Sequence, residues 1–539
     1  MHKPDHPYFA LVSQREALIK VHVISPCAPV APTVTAVVAL AGANMTLALS
    51  GPAVLPTSLP DGPGVVEHSF EDSFTATIPA GWVRPGLSVT VRAGGRSVAL
   101  SELTVGAPTE VPMVMFDVYF FTDEEGRDYP AGWRDEIEAK WPVRKLKLQR
   151  VPHVVFPELV IPARSAVRAP SVKIRSAQDY RDQTGVRFDG EQAAAIAWNG
   201  ALKRAAGLYT NRLALYYLNI YVRGVASVGG QAGGFSGVGQ GDHVGVLHHE
   251  LGHALSLPHW CTNAAYPYHD EMYGIPRPCK DRVADPSTPV APGECVREVP
   301  AHAGPTWAYD PTRRRFIPPT TQADNPTGRP AGHFKNDPMC GGSLGSQEPP
   351  YLVTHFSDYS VRRMREYLED RLLVWNGTLQ SYAAWDQSSA SYSRPVVSSG
   401  NPGAPVERDV GVVSIMASVL PNASMVYPPI GPYTSSLVEL YDPTRAADRR
   451  SARAAGFCPA DGCDVSVRVL QGGEVRTYLL AASWDPAVDP YNKNSLATEA
   501  VNVPASDGAV TQVDLLLTPD GEDAGLPDSP LVLHTWPGS

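Results

Sequence analysis

One short segment of the chain contains residue types that bind metal ions, His249-Glu250-Leu251-Gly252-His253. An α-helix has 3.6 residues per turn, so His249 and His253 lie on one face and can both bind one Zn²⁺ through ring nitrogens. Glu250 lies about 100° around the helix from His249, beside the open position of the metal. Its carboxylate can take a proton from a zinc-bound water and later give one to a leaving amine. The segment therefore predicts a zinc-dependent hydrolase with Glu250 as the catalytic base.

A third zinc ligand is expected at His259, six residues after His253. Pro258 disfavours helix at the residue before it and has no backbone N–H, so the helix must end and the chain can turn back. Three imidazole nitrogens and a water form the open coordination of a catalytic zinc. The rival arrangement places a glutamate ligand on a later helix, where Glu366 or Glu369 would be the candidate. Spacing assigns no ligand role to the nearby His243 and His248.

Two features around this segment predict how it is positioned. An apolar stripe follows one face of the helix and would pack it against a sheet, leaving the ligand face toward a cleft. Its members are Leu247, Leu251, Ala254 and Leu255. A glycine-rich run at 229–237 precedes the helix and allows close approach to backbone or ligand, which is typical of an edge segment beside the cleft.

The remaining pattern predicts an α+β protein in three domains. Residues 1–108 contain short alternating strands and a hairpin signal at 88–100, which indicate a β-sandwich. Residues 109–378 are expected to form the catalytic domain, interrupted by a long insertion rich in Cys, Pro and Gly at 260–338. Residues 379–539 form a C-terminal β-rich domain. The predicted helices are 133–141, 191–208 and 358–374, and the predicted strands of the catalytic domain are 114–121, 146–149 and 213–222.

The pattern His-Glu-x-x-His-x-x-x-x-x-His resembles the signature of the metzincin zinc metalloproteases. This resemblance implies a catalytic domain with a mixed twisted sheet, an edge strand that pairs with substrate, and a methionine turn beneath the zinc. Met339 in NDPMCGGS is the candidate for that turn, and Met416 is a poorer one. No tyrosine stands two residues after Met339, so no transition-state tyrosine is assigned. Ser256 departs from the family pattern, which has glycine at this position.

A narrower resemblance is to the secreted bacterial StcE/TagA-like metalloproteases, through HHELGHALSLPHW, NDPMCGGS and HFSDYSVRRMREYL. It implies export, a bacterial source, and action on glycoproteins that include mucin-type O-glycosylated ones. The substrate cleft is then expected to include Gly233, Gly234, Phe235 and Trp260. One catalytic zinc ion is the expected cofactor.

Composition excludes several other classes of protein. The formal net charge of −10 and the scattered basic residues argue against nucleic acid as a partner. The sequence contains no stretch of about 20 apolar residues, so no transmembrane helix is expected. The N-terminal residues contain no apolar signal-peptide region, so the protein is either intracellular or lacks its export signal in this chain.

The seven cysteines favour an exported, secreted or cell-surface protein. Cys458 and Cys463 could close a small disulfide loop. Four more, at 261, 279, 295 and 340, cluster in the loop-rich region after the metal motif, where disulfides are expected in an oxidising compartment. Free thiols are the alternative.

Two other functions are compatible with the motif. A catalytically inactive glycan- or surface-binding protein could retain the same fold, although a binding module does not need Glu250. A zinc hydrolase of another specificity, such as an amidase or deacetylase, would use the same residues on a different bond.

Overall fold

The computed structural model describes most of the chain, with gaps. The described residues are 8–27, 30–58, 69–101, 103–121, 128–188, 191–208, 212–222, 229–241, 243–259, 308–317, 338–339, 351–395, 403–492 and 494–537. Three predictions fall wholly or mostly outside them. These are the cleft residue Trp260, the disulfides of the 261–340 cysteines, and most of the 260–338 insertion.

The described residues form a mixed α+β structure, as predicted. The helices are α1 (Trp133–Lys140), α2 (Ala177–Thr184), α3 (Glu191–Ala205), α4 (Val244–Ala254), α5 (Asp358–Arg371) and α6 (Ala446–Ala454). The strands are β1 (Ala17–Val21), β2 (Val34–Leu40), β3 (Ala43–Ala48), β4 (Phe74–Ile78), β5 (Ser88–Ala93), β6 (Arg96–Leu100), β7 (Glu110–Phe120), β8 (Lys145–Phe156), β9 (Leu159–Ile161), β10 (Val172–Ile174), β11 (Leu215–Val222), β12 (Gly230–Gly233), β13 (Ser236–Gln240), β14 (Ala308–Asp310), β15 (Arg315–Ile317), β16 (Val374–Asn376), β17 (Ser381–Asp386), β18 (Ser391–Pro395), β19 (Glu407–Val419), β20 (Met425–Val426), β21 (Ile430–Leu437), β22 (Val465–Gln471), β23 (Glu474–Leu480), β24 (Ala497–Pro504), β25 (Val510–Leu517) and β26 (Leu531–Trp536). None of the helices in the described part of the chain has the length and apolar composition needed to span a bilayer.

The chain divides into two compact units that alternate along the sequence. The first comprises residues 1–111, 130–146 and 255–395. In it, an antiparallel pair β1-β4 and a four-stranded sheet ordered β3-β2-β5-β6 share one apolar core. The predicted hairpin at 88–100 is confirmed. Gly94 and Gly95 have φ of +52° and +83° between β5 and β6, the left-handed values that a two-residue hairpin turn requires.

Helices α1 and α5 of this first unit lie where the sequence predicted them. Helix α5 ends at Arg371 rather than at 374, because Leu372 is already extended, with ψ of 127°. The buried Glu136 carboxylate of α1 accepts hydrogen bonds of 2.9 Å from the backbone N–H groups of Leu352 and Val353. On α5, the Glu369 carboxylate accepts one of 2.9 Å from the Ala107 N–H. These polar contacts tie distant segments of the unit together.

The second unit comprises residues 112–129, 147–254 and 396–539. Its main sheet has five strands in the order β12-β13-β11-β7-β8, with β11 parallel to both β7 and β13. Strand β8 is longer than the predicted 146–149. Helix α3 ends at Ala205 rather than at 208, because Gly207 has a φ of +103°.

Aromatic packing holds α3 against this sheet. The fully buried Trp198 ring lies 5.1 Å from Phe156 and 5.2 Å from Tyr427, measured between ring centroids. Edge-to-face contacts of this kind add to the stability that burial already provides.

The C-terminal part of the second unit is rich in strands, as predicted. It contains a sheet in which β19 pairs with β20, β21 and β24, and another ordered β23-β22-β25-β26. The predicted small disulfide loop is confirmed, since Cys458 and Cys463 are bonded with an S–S distance of 2.02 Å.

Candidate metal centre

Helix α4 carries the predicted metal motif, and its apolar stripe is buried as expected. Leu247, Leu251 and Ala254 have no exposed surface. The helix packs against the hairpin formed by β12 and β13. His243 lies just before the first turn, where its Nδ1 accepts a hydrogen bond of 3.3 Å from the Val246 N–H. It therefore caps a helix end that would otherwise have unpaired N–H groups.

The two histidines of the motif project from the same side of α4. The rings of His249 and His253 meet edge to face, with centroids 4.7 Å apart. His259 follows the helix, and its side chain is exposed. Each of these three residues offers a ring nitrogen, and the nitrogens all lie within 4.8 Å of one another. The local chain thus brings the three predicted ligands together.

Ser256 adopts the backbone conformation that the family pattern normally assigns to glycine. Its φ is +70°, in the left-handed region that residues with a Cβ adopt at a cost of about 1–2 kcal/mol. The chain therefore reverses after α4 even though serine replaces glycine. Leu257, which is buried, follows the reversal directly, and His259 comes two residues later.

The donor set of this cluster fits a zinc ion. Zinc binds imidazole nitrogens at about 2.0–2.1 Å, so nitrogens on one ion lie at most about 4 Å apart. The upper bound of 4.8 Å on the separations here is close to that limit. A second group, Cys458, Cys463 and Glu522, also lies within 4.8 Å, but its two sulfurs are joined in the disulfide. That group is consequently unsuited to a metal.

Glu250 lies on the buried side of the same helix turn. Only 5% of its surface is exposed, and burial raises the pKa of its carboxyl to about 7. Within the described part of the chain, its Oε2 atom has no hydrogen-bond partner. A carboxyl group with a pKa near neutrality can both accept and release a proton, which is the property a general base needs.

The glycine-rich run forms the β12–β13 hairpin, and β12 is the edge strand of its sheet. Gly234 and Phe235 have φ of +53° and +63°, as in a two-residue type I′ turn. The turn is tied to α4, because the Phe235 N–H donates a hydrogen bond of 3.0 Å to the Ala254 carbonyl. It is also tied to α3, through Lys203 Nζ on the Gly234 carbonyl at 2.6 Å. The hairpin is therefore anchored on both helices.

The glycine at the start of β12 allows the hairpin to approach Glu250. A Cβ placed on Gly230 would lie 2.6 Å from Cδ of Glu250, closer than real Cβ atoms come to any neighbour. Glycine density in the sequence indicated a close approach to backbone or ligand. In the structure, the group that lies against Gly230 is the side chain of Glu250. This contact depends on the strand register and on the position of the helix, so the sequence alone does not reveal it.

The other predicted site residues have the following positions. Gly233 and Gly234 are exposed, whereas Phe235 is 1% exposed and supports the turn from inside. Met339 is fully buried, and its role in a methionine turn stays a prediction. Trp260 lies outside the described residues.

The rival glutamates each have another partner in the first unit. The Glu366 carboxylate accepts a hydrogen bond of 2.6 Å from Arg362 Nε. Glu369 bonds the Ala107 N–H, as described above. Among the described residues, the metal-compatible cluster around α4 is formed by histidines alone.

Comparison with known proteins supports a peptidase. Residues 66–273, which include α4, match the profile of the family described as Peptidase M66. Dictomallein from Burkholderia pseudomallei (strain 1710b) is 29% identical over 543 residues, covering 90% of this chain and 74% of its own. Dictomallein from Burkholderia mallei (strain SAVP1) is 28% identical with the same coverage. Dictomallein-2 from Dictyostelium discoideum is 22% identical, covering 90% of this chain and 84% of its own.

These matches support a metalloprotease with a protein substrate. The histidine cluster is able to hold the metal that such an enzyme needs.

Proposed function

We propose that this chain is a secreted zinc metalloendopeptidase of the metzincin type, in which His249, His253 and His259 hold one zinc ion and Glu250 is the general base. The observation that supports it best is the cluster of three imidazoles on and just after a helix whose next residue is a buried carboxylate. A binding module would need neither the open three-nitrogen set nor the carboxylate beside it.

The residues divide the chemistry in a simple way. Zinc, when bound, lowers the pKa of a bound water to about 7 and polarises the scissile carbonyl. Glu250 accepts the proton of the attacking water and delivers it to the nitrogen of the departing amine. Because Glu250 is almost fully buried, few waters compete for its carboxylate. The three histidines serve only as metal ligands.

The substrate is proposed to bind as an extended segment along β12. This strand is an edge of its sheet, and the glycines Gly233 and Gly234 at its end are exposed. An edge strand offers unpaired backbone groups that can pair with an added strand, and small residues leave those groups accessible. Met339 is proposed as the methionine of the turn beneath the zinc, following the metzincin resemblance.

Secretion and glycoprotein substrates extend the proposal further. The disulfide between Cys458 and Cys463 fits an oxidising compartment, where such bonds persist. The resemblance of three sequence motifs to the StcE/TagA-like metalloproteases supports action on glycoproteins that include mucin-type ones. The relatives in Burkholderia fit a bacterial source.

The test of catalysis is the substitution Glu250→Gln in zinc-loaded protein. The variant should keep its zinc and lose at least about 100-fold in kcat on a protein substrate, because a proton carrier is removed and no ligand is. Glu407→Gln, which alters an exposed glutamate, is the matched control and should leave kcat unchanged. Activity of Glu250→Gln within about tenfold of the parent would refute the proteolytic assignment.

The test of substrate class compares a mucin-like glycoprotein with its enzymatically deglycosylated form. Cleavage products are identified by mass spectrometry after incubation with the zinc-loaded protein. Faster cleavage of the glycosylated form supports the glycoprotein proposal. Equal cleavage of both forms would restrict the function to general proteolysis.

A further inference from the structure

The glycines of the β12–β13 hairpin lie against two side chains rather than one. Gly230 and Gly239 are directly opposite each other in the antiparallel pair. A Cβ on Gly230 would collide with Glu250, and a Cβ on Gly239 would come closer than 3.0 Å to the Tyr217 hydroxyl. A Cβ on Gly237 would lie 2.8 Å from Cδ2 of the same tyrosine ring. Tyr217 and Glu250 therefore lie side by side along the glycine face of the hairpin.

The register of the hairpin limits the separation of their polar ends. Directly opposite Cβ positions in an antiparallel pair are about 4.5–5.5 Å apart. The Tyr217 hydroxyl lies beside one such position and the Glu250 carboxylate beside the other. Burial is the main cause that raises the pKa of the Tyr217 phenol, and the nearby charge of Glu250 raises it further.

Both polar ends are buried and lack partners among the described residues. Tyr217 is fully buried on β11, and neither its hydroxyl nor Glu250 Oε2 has a hydrogen bond there. Buried polar atoms without partners are rare in native proteins and call for an explanation. A phenylalanine would fill the same space beside Gly237 without an unpaired hydroxyl, and Gly239 leaves room for that hydroxyl in particular.

We propose that Tyr217 is a positioning residue for Glu250. Its phenol O–H donates a hydrogen bond to one carboxylate oxygen, so that the other oxygen faces the attacking water. The tyrosine is held within the sheet, so rotation of the longer Glu250 side chain brings the two groups together. This inference rests on the proposed function, because it assigns a partner to the proposed base.

The test is Tyr217→Phe, which removes only the hydroxyl. In zinc-loaded protein, kcat should fall about 10- to 100-fold, the effect of losing a hydrogen bond to a charged group. KM, zinc content and Tm should stay unchanged, because no ligand or ring contact is lost. Tyr216→Phe is the matched control, since Tyr216 is a buried neighbour on the same strand whose side chain points to the opposite face of the sheet. Its kcat should equal that of the parent.

A double substitution separates positioning from a general structural effect. If Tyr217 acts only through Glu250, Tyr217→Phe should cause no further loss of kcat in the Glu250→Gln background. Equal losses in both backgrounds, or a parental kcat in Tyr217→Phe, would overturn the inference. An active Glu250→Gln variant would instead refute the proposed function, so the two failures are distinguishable. Rates are normalised to bound zinc, so partial misfolding does not affect the comparison.

Discussion

Substituting Gly230 by alanine should disable the enzyme without removing its metal. The added Cβ would lie 2.6 Å from Cδ of Glu250, whereas non-bonded carbon atoms settle about 3.5–4.0 Å apart. Either the carboxylate or the edge strand must move by about 1 Å. Glu250 is a side chain within a packed helix–hairpin contact, so the displacement will fall partly on the carboxylate proposed as the general base.

The expected loss follows from that displacement. A misplacement of about 1 Å in a catalytic group can lower the rate about 100-fold, which corresponds to about 2.7 kcal/mol of transition-state stabilisation. Overpacking of this kind also costs about 1–3 kcal/mol in the free energy of unfolding. The three atoms nearest to the new methyl group all belong to Glu250, so the direct strain falls on that side chain and zinc content should be retained.

The assay measures kcat/KM on a protein substrate, zinc content by metal analysis, and Tm for each variant. Gly403→Ala is the control, because a Cβ at Gly403, in the same unit, would meet nothing within 4 Å. It should match the parent in all three measurements. A Gly230→Ala variant with kcat/KM within about threefold of the parent would refute the contact with Glu250. If zinc content falls together with activity, the substitution has instead disturbed α4, which carries two of the proposed zinc ligands.

Three further outcomes are expected. His259→Ala should lose zinc on dialysis, because only two ligands remain. Glu366→Ala and Glu369→Ala should retain their zinc. If metal analysis shows the reverse pattern, a ligand set that contains a glutamate replaces the metzincin set. Ser256→Gly should raise the free energy of unfolding by up to about 1 kcal/mol. Glycine removes the strain of the left-handed backbone, and this gain is partly offset because glycine also adds conformational freedom to the unfolded chain. A free energy of unfolding below that of the parent, measured by urea titration, would contradict this. In exported protein, cysteines in the 261–340 region should be at least partly oxidised, and thiol titration of denatured, unreduced protein that finds every thiol free would count against export.

Features governed by local periodicity could be predicted from the sequence. The spacing of His249, Glu250 and His253 places them on known faces of a helix, because the helical repeat is the same in any protein. The stripe at Leu247 and Leu251 likewise predicted which face of α4 is buried, and both residues are fully buried. Glycine pairs and alternation predicted the hairpin at 88–100 for the same reason, since turn chemistry depends on adjacent residues.

The tertiary structure decided which distant groups meet. Strand register places Gly230 against Glu250 and Gly239 against Tyr217, and no local pattern encodes a contact between a hairpin, a helix and a neighbouring strand. The burial of Phe235 was likewise decided by the fold, because its turn docks on the end of α4; its place in a substrate cleft stays a prediction.

Backbone conformation after α4 also lay beyond the sequence. Serine disfavours the left-handed region, yet Ser256 adopts it, with φ of +70°. Burial of Leu257 immediately after the reversal can offset the local cost, since hydrophobic burial contributes about as much free energy as such strain removes. The sequence by itself thus determined which metal-binding and acidic residues the helix carries and at what spacing. The packing around that helix decided how Glu250 is enclosed, because enclosure depends on residues brought together only by the fold.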